Sequence, residues 1–226
     1  MQTKNRIRSI NKKCHTAEYK QIRRYSNKQL PIMKRINEIF YSLQGEGRNT
    51  GRAAIFIRFA GCNLRCPFCD TEFSEYCEMN DTDIIAAISV YPSRFVVLTG
   101  GEPTLQADNA FIVLLHANGY EVAMETNGTH PVPAGVDWIT VSPKESFAGK
   151  AGTTVVRRCN ELKCIFDEHT TIANDYGIEA DYYFLQPCDT GCPERNSLIM
   201  QACIEYILRN PKWRLSLQTH KLTGFK

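Results

Sequence analysis

Gly61-Cys62-Asn63-Leu64-Arg65-Cys66-Pro67-Phe68-Cys69-Asp70-Thr71 places three cysteines at the spacing C-x3-C-x2-C, directly after the apolar run 53–60. Cysteine thiolates are the usual ligands of iron–sulfur clusters. Three thiolates on a four-iron cube leave one iron open to a small molecule, so such a centre would be a working one. Structural zinc is the alternative; it wants four closed ligands, and Cys77 or Asp70 would have to supply the fourth.

Outward from this loop, apolar runs alternate with helical stretches. Strands are expected over 53–60, 94–99, 120–126, 136–141, 161–166, 181–186 and 213–218, after a first short strand from Lys34 that ends in Gln44-Gly45-Glu46-Gly47. Helices are expected over 81–90, 105–118, 167–176 and 197–209. In the first of them Ile84, Ile85 and Ile88 share one face, with Asn80 or Asp81 as a cap. Repeated β-α alternation predicts an α/β fold with a largely parallel sheet.

Six strand ends run into polar or glycine-containing clusters: Gly61-Cys62, Thr99-Gly100-Gly101-Glu102-Pro103, Glu125-Thr126-Asn127-Gly128, Ser142-Pro143-Lys144, Gln186-Pro187-Cys188-Asp189 and Gln218-Thr219-His220. One such cluster is an ordinary turn. Six in phase predict a partial β/α barrel whose C-terminal strand ends form one rim, with the cysteine loop on it.

The whole-chain numbers exclude several classes. Of 226 residues, 43% are hydrophobic, as in an ordinary globular protein, and no apolar run approaches a membrane span. The net charge of +3 hides an uneven distribution. Residues 1–32 carry +8 and the remainder −5, so the body does not read as a nucleic-acid-binding surface. Residues 1–32 are expected to be a basic, poorly ordered extension or an early start-site assignment, and 33–226 the folded domain. Ten cysteines without a signal peptide point to a reducing cytoplasm, with Cys14, Cys159, Cys164 and Cys203 as thiols.

The cysteine loop, with aromatic Phe68 before the last cysteine, resembles the signature of the radical S-adenosylmethionine (SAM) superfamily. The resemblance implies that Cys62, Cys66 and Cys69 hold a 4Fe-4S cluster and that SAM binds its open iron. Gly100-Gly101-Glu102-Pro103 is similar to that superfamily's GGEP strand end. It implies SAM contacts from Phe68, Asp70, Gly101, Glu102, Glu125, Ser142, Pro143, Lys144, Gln186, Pro187, Cys188 and Asp189.

A narrower resemblance rests on Tyr41–Gly47, Cys62–Thr71, Ser142-Pro143-Lys144, Gln186-Pro187 and Gln218–Lys221, and spans 33–226. These resemble the 7-carboxy-7-deazaguanine synthase family. The resemblance implies conversion of 6-carboxy-5,6,7,8-tetrahydropterin to 7-carboxy-7-deazaguanine with loss of ammonia, on the route to queuosine. It further implies a homodimer, a reductant protein such as a flavodoxin or ferredoxin, and a magnesium ion on Thr71. Leu43, Gln44, Gly45, Arg58, Thr99 and Lys226 would contact the pterin. Two rival readings are a radical SAM activase that makes a glycyl radical on a partner protein, and a non-enzymatic zinc- or cluster-stabilised binding module.

Overall fold

The computed structural model describes residues 32–67, 69, 75–167, 169–170 and 173–226. The basic extension up to residue 31, Cys14, Phe68, Asp70 and Thr71 lie outside the described residues.

Nine strands join in one sheet among the described residues. They are β1 (Lys34–Leu43), β2 (Ala53–Phe59), β3 (Cys77–Met79), β4 (Phe95–Gly100), β5 (Glu121–Thr126), β6 (Trp138–Val141), β7 (Arg158–Phe166), β8 (Glu179–Pro187) and β9 (Trp213–Leu215). Their spatial order is β3-β1-β2-β4-β5-β6-β7-β8-β9. From β2 to β9 every pairing is parallel, and only β1 runs antiparallel, to β2 and β3. The sheet is open, with β3 at one edge and β9 at the other, as a partial barrel requires.

Helices α1 (Asp81–Ile88) and α2 (Asn109–Ala117) cover the outer face of the first half. Asn80 caps α1 by accepting from the Asp83 amide, and Asp108 caps α2 through the Phe111 amide. Their Ile84, Ile88, Phe111, Ile112 and Leu115 pack on Ile55, Ile57, Phe59, Val96, Leu98, Val122 and Met124. Lys34 is buried beside them; its ammonium pairs with Asp81 at 2.5 Å and lies 4.7 Å from the Phe111 ring centre. Two short helices follow, α3 (Glu145–Ala148) after β6 and α5 (Thr219–Thr223) near the end of the chain. Between them, α4 (Pro193–Arg209) sets Ile199 and Cys203 against Leu162, Cys164, Leu185 and Trp213.

Two helix expectations are corrected. The expected helix from residue 105 begins only at Asn109, because Pro103–Leu105 forms a separate 3-10 turn before the Asp108 cap. The described residues of 167–176 form turns, not a helix. There Asp167 accepts from the His169 amide and the Thr170 hydroxyl, Asn174 from the Tyr176 amide and Asp175 from the Gly177 amide. Short polar side chains thereby take the backbone donors a helix would use. None of the helices of the described residues is long and apolar enough to cross a membrane.

Candidate active site

Alternation along the strands turns every second residue inward, and strand register stacks these residues into layers. The floor is apolar: Phe40 and Phe56 stack at 4.8 Å, beside Val97, Ala123 and Trp138. One step nearer the rim, Glu38 pairs in register with Arg58 and Arg58 with Thr99. On the neighbouring strands Glu125 pairs with Thr140 and Thr140 with Glu161. The Thr99 hydroxyl joins the two series by donating to Glu125 at 2.8 Å. A polar row thus crosses the inner face from β1 to β7.

Above this row opens a cavity of about 540 Å³. Its wall brings together Leu43, Gln44, Gly45, Arg58, Thr99 and Lys226, with the three cysteines Cys62, Cys66 and Cys69 at the mouth. Gly101, Glu125, Ser142, Lys144, Gln186, Pro187, Cys188 and Asp189 also line it. The converging strand ends expected from the sequence therefore meet in one place.

The cysteine loop is locked to the β4 strand end by backbone contact. The Gly101 amide donates to the Phe59 carbonyl at 2.9 Å and the Glu102 amide to the Gly61 carbonyl at 3.0 Å. A Cβ on Gly101 would collide with the Gly61 carbonyl oxygen, so only glycine fits there.

Two expected SAM contacts lie elsewhere. Glu102 is fully buried and absent from the cavity wall; its carboxylate accepts from the Thr104 amide and hydroxyl, the Thr126 hydroxyl and the Asn127 amide. It fastens two strand ends together, and Gly100, Gly101 and Thr99 are what that strand presents to the cavity. Pro143 is likewise buried behind the wall. A third residue changes company: Glu125, expected on the SAM side, accepts from Gln44 at 3.0 Å and from Thr99, both expected on the substrate side.

Burial pushes the Cys62 and Cys66 thiols above their usual range, because a buried thiolate is costly unless a strong cation stands beside it, and Lys144 offsets this only in part at Cys66. Iron would supply that cation, and the donor set of three thiols at a cavity mouth suits an iron–sulfur cluster. Among the described residues no group of three or more Cys, His, Asp or Glu side chains converges on a single ion, as closed structural zinc would require. Ligands of a cube bind different irons and need no common point. Burial also lowers the Lys144 ammonium below the ordinary lysine range; it donates to the Ser142 carbonyl at 2.9 Å and hydroxyl at 2.5 Å. Asp189 lies well below the carboxylate range, held by Lys221 at 2.5 Å, the Gly191 amide and Asn196.

The radical SAM superfamily model matches residues 56–166, from β2 to the end of β7. A 7-carboxy-7-deazaguanine synthase from Bacteroides thetaiotaomicron is 48% identical over 195 residues, covering 86% of this chain and all of that protein. The chain belongs to the 7-carboxy-7-deazaguanine synthase family. Synthases from Bordetella pertussis and Bradyrhizobium diazoefficiens, at 44% and 42% identity, each match 84% of the chain and cover 97% and 98% of their own length. QueE from Escherichia coli superposes with a TM-score of 0.65 at 31% identity, covering 82% of this chain and 93% of its own. This synthase is thus a radical SAM enzyme, whose family uses a 4Fe-4S cluster and SAM.

The synthase's cavity also holds residues that the sequence reading did not assign to the site: Phe40, Glu46, Phe56, Thr140, Lys163 and Ile165. A signal for one of them was present. Lys163 stands two residues from Glu161 in the otherwise apolar run 161–166, which marks an inward polar face. Glu46 belongs to the first glycine turn, but nothing local shows that its partner is 117 residues away.

Proposed function

We propose that the chain converts 6-carboxy-5,6,7,8-tetrahydropterin to 7-carboxy-7-deazaguanine with loss of ammonia, within queuosine biosynthesis. The observation that carries this reading is the polar row, in which a guanidinium, two hydroxyls and the Glu125 carboxylate face one cavity beneath three cysteines. Pterins combine a flat ring edge rich in N–H donors with, in this substrate, a carboxylate. Arg58 offers a planar fork for the carboxylate; the Glu38 carboxylate beside it is 3.8 Å away, too long for a tight pair. Glu125 and the Gln44 amide offer acceptors for the ring edge. The apolar floor of Phe40 and Phe56 suits the ring's faces.

Cys62, Cys66 and Cys69 would hold the cluster, and SAM, when bound, supplies a carbon-centred radical able to take hydrogen from a C–H bond. Gly101, Ser142, Lys144 and the 186–189 strand end would hold SAM at the rim. The chain's task is to keep the pterin carbon beside the carboxylate close to that rim and to exclude water. The overall change releases ammonia and consumes no oxidant, since the hydrogen taken is returned. Magnesium on Thr71, a homodimer and a flavodoxin- or ferredoxin-type reductant complete the proposal. Magnesium prefers hard oxygens and keeps its waters, so one threonine oxygen with the substrate carboxylate would suffice.

The inward-facing polar row favours a small substrate over the protein partner an activase needs. The test is anaerobic reconstitution, then incubation with the carboxypterin, SAM, magnesium and reductant, read by mass spectrometry. The deazapurine is expected; SAM cleavage without it would overturn the substrate assignment.

A further inference from the structure

We infer that Lys163 is a positioning residue that acts through Glu46 to clasp the substrate turn across the open side of the barrel. This rests on the proposed role of Gln44 and Gly45 as pterin contacts. No strand pairing joins the sheet's two edges among the described residues, so the turn after β1 must be held to the far side by other bonds. Those bonds are polar. The Gly45 carbonyl accepts from the Thr219 amide at 3.0 Å and hydroxyl at 2.9 Å, and the Gly47 amide donates to the Ser216 hydroxyl at 3.1 Å. The Arg48 amide donates to Glu161 at 2.9 Å.

At the centre stands an ion pair. Lys163 of β7 donates to one oxygen of Glu46, and Gln218 donates to the other at 3.0 Å. The Lys163 side chain is 7% exposed and that of Glu46 16% exposed, so both charges are largely shielded from water. Glu46 therefore joins three segments distant in sequence: the turn, β7 and the stretch before α5. The fit leaves no slack, since a Cβ on Gly45 would stand 2.5 Å from the His220 ring nitrogen Nδ1.

A lysine that only satisfied the core would affect folding and every activity together. A clasp on the turn affects pterin binding first. The test uses Lys163→Met, Lys163→Arg, Glu46→Gln and the double variant Lys163→Met/Glu46→Gln, with Gln44→Ala as control. On cluster-loaded enzyme it measures pterin KM and kcat and, without reductant, equilibrium pterin binding; thermal midpoints check folding. Each of Lys163→Met and Glu46→Gln is expected to weaken binding about tenfold with kcat within about threefold. The double variant should be no worse than the poorer single one, and Lys163→Arg should recover most of the loss. Multiplying losses in the double variant, a fall in kcat at unchanged KM, or no rescue by arginine would overturn the clasp. So would loss of binding only in step with a falling midpoint. If Lys163→Met does not fold, Glu46→Gln decides: unchanged pterin binding refutes it. Unchanged binding in Gln44→Ala would instead reject the substrate reading of the turn.

Discussion

The two faces of the one sheet are built to different specifications. On the outer face of β2, β4 and β5, Ile55, Ile57, Val96, Leu98, Val122 and Met124 are fully buried under α1 and α2. On the inner face of the same strands, Arg58, Thr99 and Glu125 sit side by side in the cavity wall. Adjacent residues in sequence thus serve opposite ends: Ile57 packs while Arg58 lines the cavity, and Leu98 packs while Thr99 holds Glu125. The outer face contributes stability through apolar burial. The inner face gives some of that up, because polar side chains there must be matched by a ligand or by each other.

If that division is right, substitutions on the two faces should separate activity from stability. The largest effect is expected at the rim: Cys66→Ala should lose the cluster and all SAM cleavage, read from iron content and product formation, while a brown, active variant would remove the cysteine assignment. Next, Arg58→Met should lower kcat/KM for the carboxypterin by roughly 100-fold. SAM cleavage without substrate and the thermal midpoint should change little, and equal loss of both activities would place Arg58 with structure instead. Glu125→Gln is expected to raise the pterin KM by about tenfold, one lost charge-assisted hydrogen bond. A change in SAM binding in place of pterin binding would return Glu125 to the cofactor side.

The outer face should behave in the opposite way. Leu98→Ala should cost about 3 kcal/mol in denaturant unfolding, with kcat per folded molecule unchanged. A large activity loss at full stability would erase the contrast between the faces. The smallest effect concerns pH. Burial opposes ionisation of Glu46, but the charge and hydrogen bond of Lys163 and the bond from Gln218 outweigh it and hold the carboxyl down at about 2. With the folded value below the ordinary 4.5, its stabilisation is present above pH 4.5 and is lost as pH falls towards 2. Acid unfolding of Glu46→Gln should therefore be shallower over that window than that of the parent; identical profiles would reject the linkage.

Much of this was legible in the chain. The parallel sheet followed from β-α alternation, and the rim from polar clusters in phase at strand ends. The cysteine spacing is a local pattern, so it needed no tertiary information. Other features were not legible for stated reasons. The 167–176 segment is expected as a helix, yet Asp167, Asn174 and Asp175 accept from backbone amides two residues further on, a competition that depends on local geometry. Glu102 reads as a ligand residue from its motif, but Thr104, Thr126 and Asn127 already occupy its carboxylate.

By itself, the sequence determined the class of element at most positions, the cysteine loop and the gathering of polar residues at one end of the strands. Periodicity and spacing are short-range properties, written into neighbouring residues. Only the tertiary structure decided which carboxylate meets which donor: Glu125 with Gln44 and Thr99, Glu46 with Lys163 and Gln218. Those pairings depend on strand register and on the closing of an open barrel edge. Register is set by the packing of the whole sheet, and no single stretch of chain carries it.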